Sequence, residues 1–161
     1  MADLLVKLYD LPPSAQGIEK LREGGIEIRR AIGPEKHAVV EWAEKKFSRS
    51  WASECDVALS AQPVTCFIAI KDKQIIGFAC YDSTLKGFFG PIGVDESLHI
   101  KGLGTALLIR TLEAMRDAGY GYAAIGWAGP VEFFRKAVGA TVIEGSEPGV
   151  YKNLVKAGPR Q

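Results

Sequence analysis

The sequence lacks an excess of charge of either sign, since its 20 Lys and Arg residues nearly balance its 19 Asp and Glu residues and leave a formal charge of +1. Attraction of a polyanion needs a clustered field of positive charge, so nucleic acid is not expected as a partner. The sequence also has no run of about eighteen apolar residues that would span a bilayer, and residues 1–10 lack the basic region and cleavage site of a secretion signal. We therefore expect a cytoplasmic protein that does not act at a membrane.

Residue types that bind metals are scarce as well, because the chain has three Cys and two His. Cys55, Cys66 and Cys80 lie too far apart in sequence to form a zinc-binding motif, and only His37 and His99 could add imidazole ligands. We expect no structural metal, and we expect the three thiols to be buried.

The composition is that of a soluble globular domain, with 47% hydrophobic and 24% charged residues. A chain of 161 residues suffices for one hydrophobic core, and no internal repeat or low-complexity stretch marks a second one. Residues 4–8 suggest a short strand, which Pro12 and Pro13 interrupt before a small helix. We expect residues 1–24 to form an N-terminal extension and residues 25–161 to form the domain.

Apolar periodicity beyond residue 25 predicts groups of strands and helices in succession. The predicted helices begin near Pro34, Trp51, Gly102 and Pro130, and the predicted strands are 26–31, 64–70, 75–81, 86–94, 122–127, 141–144 and 150–154. Gly90, Pro91 and Gly93 make the strand 86–94 irregular and indicate a bulge near its end. The order of elements predicts an α/β (α+β) fold, in which helices cover both faces of a mixed sheet.

The most informative segment, residues 90–108, leads from this irregular strand into a helix whose start carries Gly102 and Gly104. The first amides of a helix lack intrahelical partners and bear a partial positive charge, and glycine leaves them accessible, so the turn predicts a cradle for a phosphate. The turn lacks the Gly-Lys-Ser/Thr ending of a P-loop, and Leu107 replaces the third small residue of a dinucleotide fingerprint. Both classes are therefore disfavoured, while a tight turn without a ligand stays open.

Residues 99–104 read His-Ile-Lys-Gly-Leu-Gly and resemble the acyl-CoA motif Gln/Arg-x-x-Gly-x-Gly/Ala of the GNAT superfamily of N-acetyltransferases. The order of elements agrees with that family from about Ile26 to Leu154. The resemblance implies a central mixed, mostly antiparallel sheet that splays between strands four and five, counted from residue 26. It also implies an enzyme that transfers an acetyl group from its co-substrate acetyl-CoA to a primary amine by direct attack in a ternary complex.

The resemblance further implies where coenzyme A binds. Free peptide groups of the fourth strand bind the pantetheine arm, amides of the turn bind the pyrophosphate, and the helix from Pro130 flanks the arm near the thiol. The corresponding residues are Ile92, Gly93 and Val94 on the strand, Phe133 and Phe134 on the helix, and His99, Ile100, Lys101, Gly102, Leu103, Gly104 and Thr105 in the turn. His99 stands where the motif has Gln or Arg, which leaves open a solvated loop residue or a direct phosphate contact.

The acid that would protonate the departing thiolate is missing from its usual place. The family often carries Phe-Tyr where this chain has Phe133 and Phe134, and phenylalanine has no proton to donate. A thiol with a pKa of about 8.5 is already a fair leaving group, so water is one replacement for the missing acid. Another tyrosine is the alternative, and the sequence does not rank the candidates Tyr81, Tyr120, Tyr122 and Tyr151.

The candidate bases are Glu54 and Asp56, on the predicted helix where acceptors usually enter in this family. An exposed or helix-capping pair of acids is the other interpretation of these two residues.

The acceptor is expected to be a small-molecule or peptide amine. Phe134 also supports an alternative function, an acyl-CoA-binding sensor or interaction protein with weakened catalysis. Exposed strand edges make a homodimer possible.

Overall fold

Seven strands form one sheet in the computed structural model, which describes residues 1–159. The strands are β1 (Leu4–Lys7), β2 (Ile26–Arg30), β3 (Cys66–Lys71), β4 (Gln74–Tyr81), β5 (Phe88–Val94), β6 (Tyr122–Ile125) and β7 (Thr141–Val142). The helices are α1 (Ala15–Glu23), α2 (Lys36–Lys46), α3 (Arg49–Ser60), α4 (Leu103–Asp117) and α5 (Val131–Val138). The order across the sheet is β2-β3-β4-β5-β6-β1-β7, and only β5 and β6 pair in parallel. The expected mixed, mostly antiparallel sheet is confirmed.

The sheet is buried on both faces because β3 and β4 carry apolar residues on each side of the pleat. One face packs against α2 and α3 through Ile68, Phe78 and Cys80, which meet Ala43 and Cys55. The other face packs against α4, whose buried residues follow the predicted helical period and are Leu103, Ala106, Leu107, Leu108, Ile109, Thr111, Leu112, Ala114 and Met115. Helices therefore cover both faces, as the sequence predicted.

The first 24 residues, expected as an extension, contribute an interior strand to the sheet. β1 pairs antiparallel with β6 and with β7, and Leu4 lies between Ile125 on one side and Val142 on the other. The side chains of Leu4, Val6 and Leu8 are fully buried. The N-terminal segment is thus part of the hydrophobic core.

The prediction of a last strand at 150–154 is wrong. Residues Gly149–Tyr151 form a short 3-10 helix instead, and the preceding closing strand shortens to β7. The amides of Tyr151 and Leu154 donate to carbonyls three residues earlier, those of Pro148 and Tyr151, and Asn153 has a left-handed φ of 61°. The segment therefore turns on itself instead of pairing with a strand.

Candidate functional site

A cleft opens where β5 and β6 separate. The two strands pair only at Phe88 with Ala124 and at Phe89 with Ile125. Beyond that point the β4–β5 register shifts, so that Gly90 and the residue after it form the predicted bulge. The expected splay between these two strands is confirmed, and it leaves one edge of β5 without a neighbouring strand.

The free edge of β5 presents peptide groups to the cleft. The amide of Asp95, just after β5, donates to the carbonyl of Ile76 on β4 (2.8 Å). Successive amides of a strand point to opposite sides, so the peptide groups of Gly93 share that direction, while those of Ile92 and Val94 point away from β4. Two of the three strand residues named from the sequence therefore face the cleft with their backbone.

Gly93 has a packing role. A Cβ added there would lie 2.6 Å from two ring atoms of Phe47 and 3.2 Å from Phe78. Phe47 also packs against Trp51, with ring centroids 4.9 Å apart. The aromatic cluster thus closes one side of β5 and needs glycine at this position.

A sharp turn joins β5 to α4. Asp95 accepts a hydrogen bond from the amide of Ser97 (3.1 Å) at the start of the 3-10 turn Glu96–Leu98. His99 and Gly102 then adopt left-handed conformations, with φ of 49° and 83°. These two residues reverse the chain into the helix, and the side chain of His99 is exposed to solvent.

The start of α4 has accessible amides. The first helical bond runs from the amide of Ala106 to the carbonyl of Gly102 (3.0 Å). A Cβ added at Gly102 would meet nothing within 4 Å, so the space before the turn is open. The helix start therefore presents three amides without intrahelical acceptors, those of Leu103, Gly104 and Thr105. Lys101 is exposed beside them.

The two aromatic residues of α5 point in different directions. Phe133 lies beside the turn, since a Cβ added at Gly104 would be 3.6 Å from its Cζ atom. Phe134 is buried and packs edge-on against Phe89, with ring centroids 6.5 Å apart. Hence Phe133 flanks the helix start, while Phe134 belongs to the core below the cleft.

Tyr151 fills the point of the cleft where the strands part. Its ring stacks on Trp127 at a centroid distance of 4.7 Å and an interplanar angle of 8°. Its hydroxyl lies so close to Gly126, the residue after β6, that an added Cβ would clash with it. The ring of Phe88 borders the same space. We call this place, defined by Phe88, Gly126, Trp127 and Tyr151, the apex of the cleft.

The chain termini hold Tyr151 in position. Asp3 is buried and its Oδ1 atom accepts a hydrogen bond from the amide of Trp127 (2.9 Å). The amide of Asp3 donates to the hydroxyl of Ser146 (2.8 Å), and its carbonyl accepts from the amide of Ile143 (2.8 Å). The N-terminal residues thus tie the C-terminal segment to the turn after β6.

Glu54 and Thr84 complete a polar cluster at the apex. The hydroxyl of Thr84, in the loop between β4 and β5, donates to Oε1 of Glu54 on α3. Burial raises the pKa of the Glu54 carboxyl, and the Thr84 hydrogen bond opposes that rise. Burial, followed by the charges of Glu54 and Asp3, raises the pKa of Tyr151 to about 12, against the effect of a hydrogen bond with Thr84. A carboxyl and two hydroxyl groups therefore meet where the strands part.

Asp56 lies outside this cluster. Its carboxylate pairs with the ammonium of Lys36 (2.9 Å) and accepts a hydrogen bond from Ser60 (3.3 Å). The Lys36 hydrogen bond lowers the pKa of Asp56. Glu54 and Asp56 are two positions apart on α3, so their side chains point about 200° apart around the helix axis. The structure therefore does not bring the two candidate bases together.

The other three candidate tyrosines lie elsewhere. Tyr81 is buried and its hydroxyl accepts from Arg30 (3.0 Å). Tyr120 donates to Asp82 (2.7 Å). Tyr122 is exposed, with its hydroxyl 3.3 Å from that of Tyr9. Of the four candidates, Tyr151 is the one whose hydroxyl is at the apex.

Replacing Glu54 with Gln is expected to raise the Tm at pH 7 by about 1–4 °C. A raised pKa means that the fold favours the protonated carboxyl, so its contribution to stability is complete below the unfolded-state pKa and is lost as pH rises through the folded-state pKa. Glutamine stays neutral and still accepts from Thr84. The gain should therefore shrink toward zero at about pH 4, in thermal unfolding followed by circular dichroism.

The control is Glu41→Gln, which changes an exposed carboxylate on α2. This variant should leave the Tm nearly unchanged at both pH values. A lower Tm for Glu54→Gln at pH 7 would show that the Thr84 hydrogen bond to the charged carboxylate outweighs its burial.

The three cysteines are free and buried, as expected. The sulfur atoms of Cys55 and Cys80 are 4.0 Å apart, and burial raises the pKa of the Cys80 thiol well above its usual value. Residues 1–159 contain no group of three side chains arranged to hold a metal ion. Over the same residues, no helix is long and apolar enough to cross a membrane.

Comparison with known proteins identifies the fold. The GCN5-related glucosamine N-acetyltransferase region of a fungal multi-domain GH3 β-N-acetylglucosaminidase matches with a TM-score of 0.71 at 14% identity, over 88% of this chain and 19% of that chain. A GCN5-related N-acetyltransferase from Sphaerobacter thermophilus matches with a TM-score of 0.65 at 21% identity, over 88% of this chain and 48% of that chain. This chain thus spans less than half the length of either structure.

A comparison with curated protein sequences gives no match. The model of the acetyltransferase (GNAT) family, in contrast, matches residues 36–139. That range is more than half of the chain and contains α3, the splayed part of β5, the glycine turn and α5. The chain belongs to the acetyltransferase (GNAT) family.

Proposed function

We propose that the protein is an N-acetyltransferase that moves an acetyl group from acetyl-CoA to a primary amine by direct attack in a ternary complex. The observation that carries the proposal is one cleft with two different ends. One end has the open helix start at Gly102, and the other has the cluster of Glu54, Thr84 and Tyr151. The phosphates of an acyl donor would thus bind at the helix start, while its acyl group and the amine would meet at the apex.

The residues of the cleft fit coenzyme A. The open space before Gly102 leaves room for a pyrophosphate on the amides of the helix start, where the helix dipole favours an anion. The peptide groups of Ile92 and Val94 suit the amides of a pantetheine arm, which pair as a strand would. Phe133 lies on the opposite side of the turn, next to Gly104. Acetyl-CoA would supply the activated acetyl group.

Glu54 is the proposed base. An amine must lose a proton for its nitrogen to bond to the acetyl carbon while the carbon–sulfur bond breaks. The Glu54 carboxylate accepts that proton, and its raised pKa makes it a better base than an exposed carboxylate. Thr84 fixes the orientation of the carboxylate by donating to Oε1.

Tyr151 is the proposed hydrogen-bond donor to the departing sulfur. With a pKa raised to about 12, its hydroxyl stays protonated at neutral pH. The pKa of Tyr151 is higher by about 3.5 than the pKa of about 8.5 of a thiol, so full transfer of this proton to the thiolate is unfavourable. The hydroxyl therefore stabilises the developing negative charge by a hydrogen bond, and solvent delivers the proton to the thiolate.

Tyr151→Phe is expected to lower kcat by about 10- to 100-fold, the effect of one hydrogen bond to a charged group. The KM for acetyl-CoA should stay within about twofold, because the ring still stacks on Trp127. Steady-state kinetics with detection of the released thiol measures both values. Tyr122→Phe is the matched control, since that hydroxyl is at the surface beside Tyr9. An unchanged or higher kcat for Tyr151→Phe would show that the ring only fills the apex.

A second candidate function is an acyl-CoA-binding sensor or interaction protein with weakened catalysis. It is favoured by the buried Phe134, which occupies the place of the family's usual acid, and by the tight packing of Tyr151 against Gly126. A screen of small-molecule amines and short peptides for release of the CoA thiol separates the two functions. The enzyme releases thiol only when an amine is present, whereas the sensor binds acetyl-CoA without turnover.

A further inference from the structure

A cavity of about 420 Å³ adjoins the glycine turn on the side away from α5. It lies between α1 with the residue that follows it, the start of β2, the end of β3 and the turn itself. Its lining residues are Gly17, Lys20, Leu21, Gly24, Ile26, Lys71, Ile100, Lys101 and Gly102. The cavity thus shares Ile100, Lys101 and Gly102 with the proposed pyrophosphate site.

The lining of this cavity carries charge of one sign. Lys20, Lys71 and Lys101 come from three different elements, and no carboxylate is among the lining residues. Within residues 1–159, no ion pair or hydrogen bond engages the ammonium group of these lysines. A larger groove of about 910 Å³ on the same face of the sheet has both acidic and basic residues, among them Glu113 and Arg110. The smaller cavity therefore has the stronger preference for an anion.

We propose that this cavity binds the adenosine end of coenzyme A and that Lys20 and Lys71 recognise its ribose 3′-phosphate. The inference rests on the proposed function, because it places the pyrophosphate of the same molecule on the adjoining turn. A lysine ammonium is a compact charge suited to a terminal phosphate. Leu21, Ile26 and Ile100 supply apolar surface for the adenine ring, and the volume is in the range of small-molecule sites.

Of the two lysines, Lys71 lies inside the range that matches the family model and Lys20 lies before it. Lys20 lies in α1, which precedes the residues 36–139 that match the family model. α1 is held against α4, since a Cβ added at Gly17 would lie 3.9 Å from the Cβ of Ala106. The N-terminal segment would therefore distinguish coenzyme A from donors that carry no 3′-phosphate.

Calorimetric titration with CoA and with 3′-dephospho-CoA, which differ only in that phosphate, tests the proposal. The wild type should bind CoA at least about tenfold more tightly, as expected for two charge-assisted contacts. In the double variant Lys20→Gln/Lys71→Gln the preference should fall to about threefold or less, while the affinity for dephospho-CoA stays within about twofold. Lys45→Gln, an exposed lysine on α2 across the sheet, should keep the wild-type preference.

Three results would overturn the proposal in different ways. Equal binding of both ligands by the wild type would show that the 3′-phosphate is not recognised. A preference that survives in the double variant would place the recognition elsewhere, with the proposed function intact. Failure of the folded wild type to bind either ligand would remove the proposed function as well. Since screening weakens exposed charge pairs, the wild-type preference should also shrink when the salt concentration is raised.

Discussion

Replacing Gly104 with Glu is expected to weaken acetyl-CoA binding by at least about a hundredfold, because a carboxylate would stand beside the pyrophosphate in a site that favours one anion. The fold should survive. A Cβ at this position would be 3.6 Å from Phe133, which is ordinary contact, and an acidic residue in the first turn of α4 suits the helix dipole. Calorimetric titration measures the affinity, and thermal unfolding confirms that the variant is folded.

Gly104→Ala is the matched control, since it adds the Cβ without the charge. It should bind within about threefold of the wild type, because alanine also favours the helix. If the glutamate variant bound acetyl-CoA nearly as well as the alanine variant, the phosphate would not lie at the start of α4. The resemblance of the turn to the acyl-CoA motif would then be misleading for this chain.

Glu54→Gln is expected to lower kcat by about 10²- to 10⁴-fold, the usual contribution of a general base. The KM for acetyl-CoA should change little, because Glu54 lies at the apex, remote from the glycine turn. The same variant should have a higher Tm at pH 7, so a loss of activity would not reflect unfolding. Loss of function together with a gain of stability is the combined outcome expected for a buried catalytic carboxylate.

The pH dependence gives a second readout of Glu54. The base works only when deprotonated, so kcat/KM should fall as pH decreases through its pKa, which lies above the ordinary carboxyl value of 4.5. This acidic limb should be absent from the residual activity of Glu54→Gln. One acceptor amine must be used for both proteins so that its own titration is common to the two profiles. Asp56→Asn is the control, because Asp56 pairs with Lys36 outside the apex.

A kcat for Glu54→Gln within about threefold of the wild type would contradict the role of Glu54 as the base. A strong loss in Asp56→Asn would be equally damaging. That result would move the chemistry to the opposite side of α3, where the Lys36 pair lies.

The elements that sequence predicted correctly are those whose signal is local. The period of α4 shows in consecutive residues, and so does the short charged turn between β3 and β4. The position of β1 has no such signal, because it depends on pairing between Leu4 and Ile125, which are far apart in sequence. Strand preference depends on context. The segment 150–154 has the composition of a strand, but its backbone bonds locally and the Tyr151 ring stacks on Trp127.

The candidate site likewise has one part with a local sequence signal and one part that depends on residues far apart in sequence. The helix start at Gly102 and Gly104 is contiguous, so its chemistry could be predicted from spacing alone. The apex is assembled from α3, the loop after β4 and the C-terminal segment. Thr84 carried no sequence signal, and Tyr151 was one of four equal candidates until its stacking on Trp127 placed it. These three elements meet only in the folded chain, so their meeting at the apex could not be predicted from the sequence.

Calorimetric titration of the wild-type protein with acetyl-CoA tests directly whether the cleft is an acyl-CoA site. We expect saturable binding of about one molecule per chain, with free CoA as a competitor, because one cleft holds both the phosphate cradle and the free edge of β5. Absence of saturable binding by the folded protein would show that this cleft is not an acyl-CoA site.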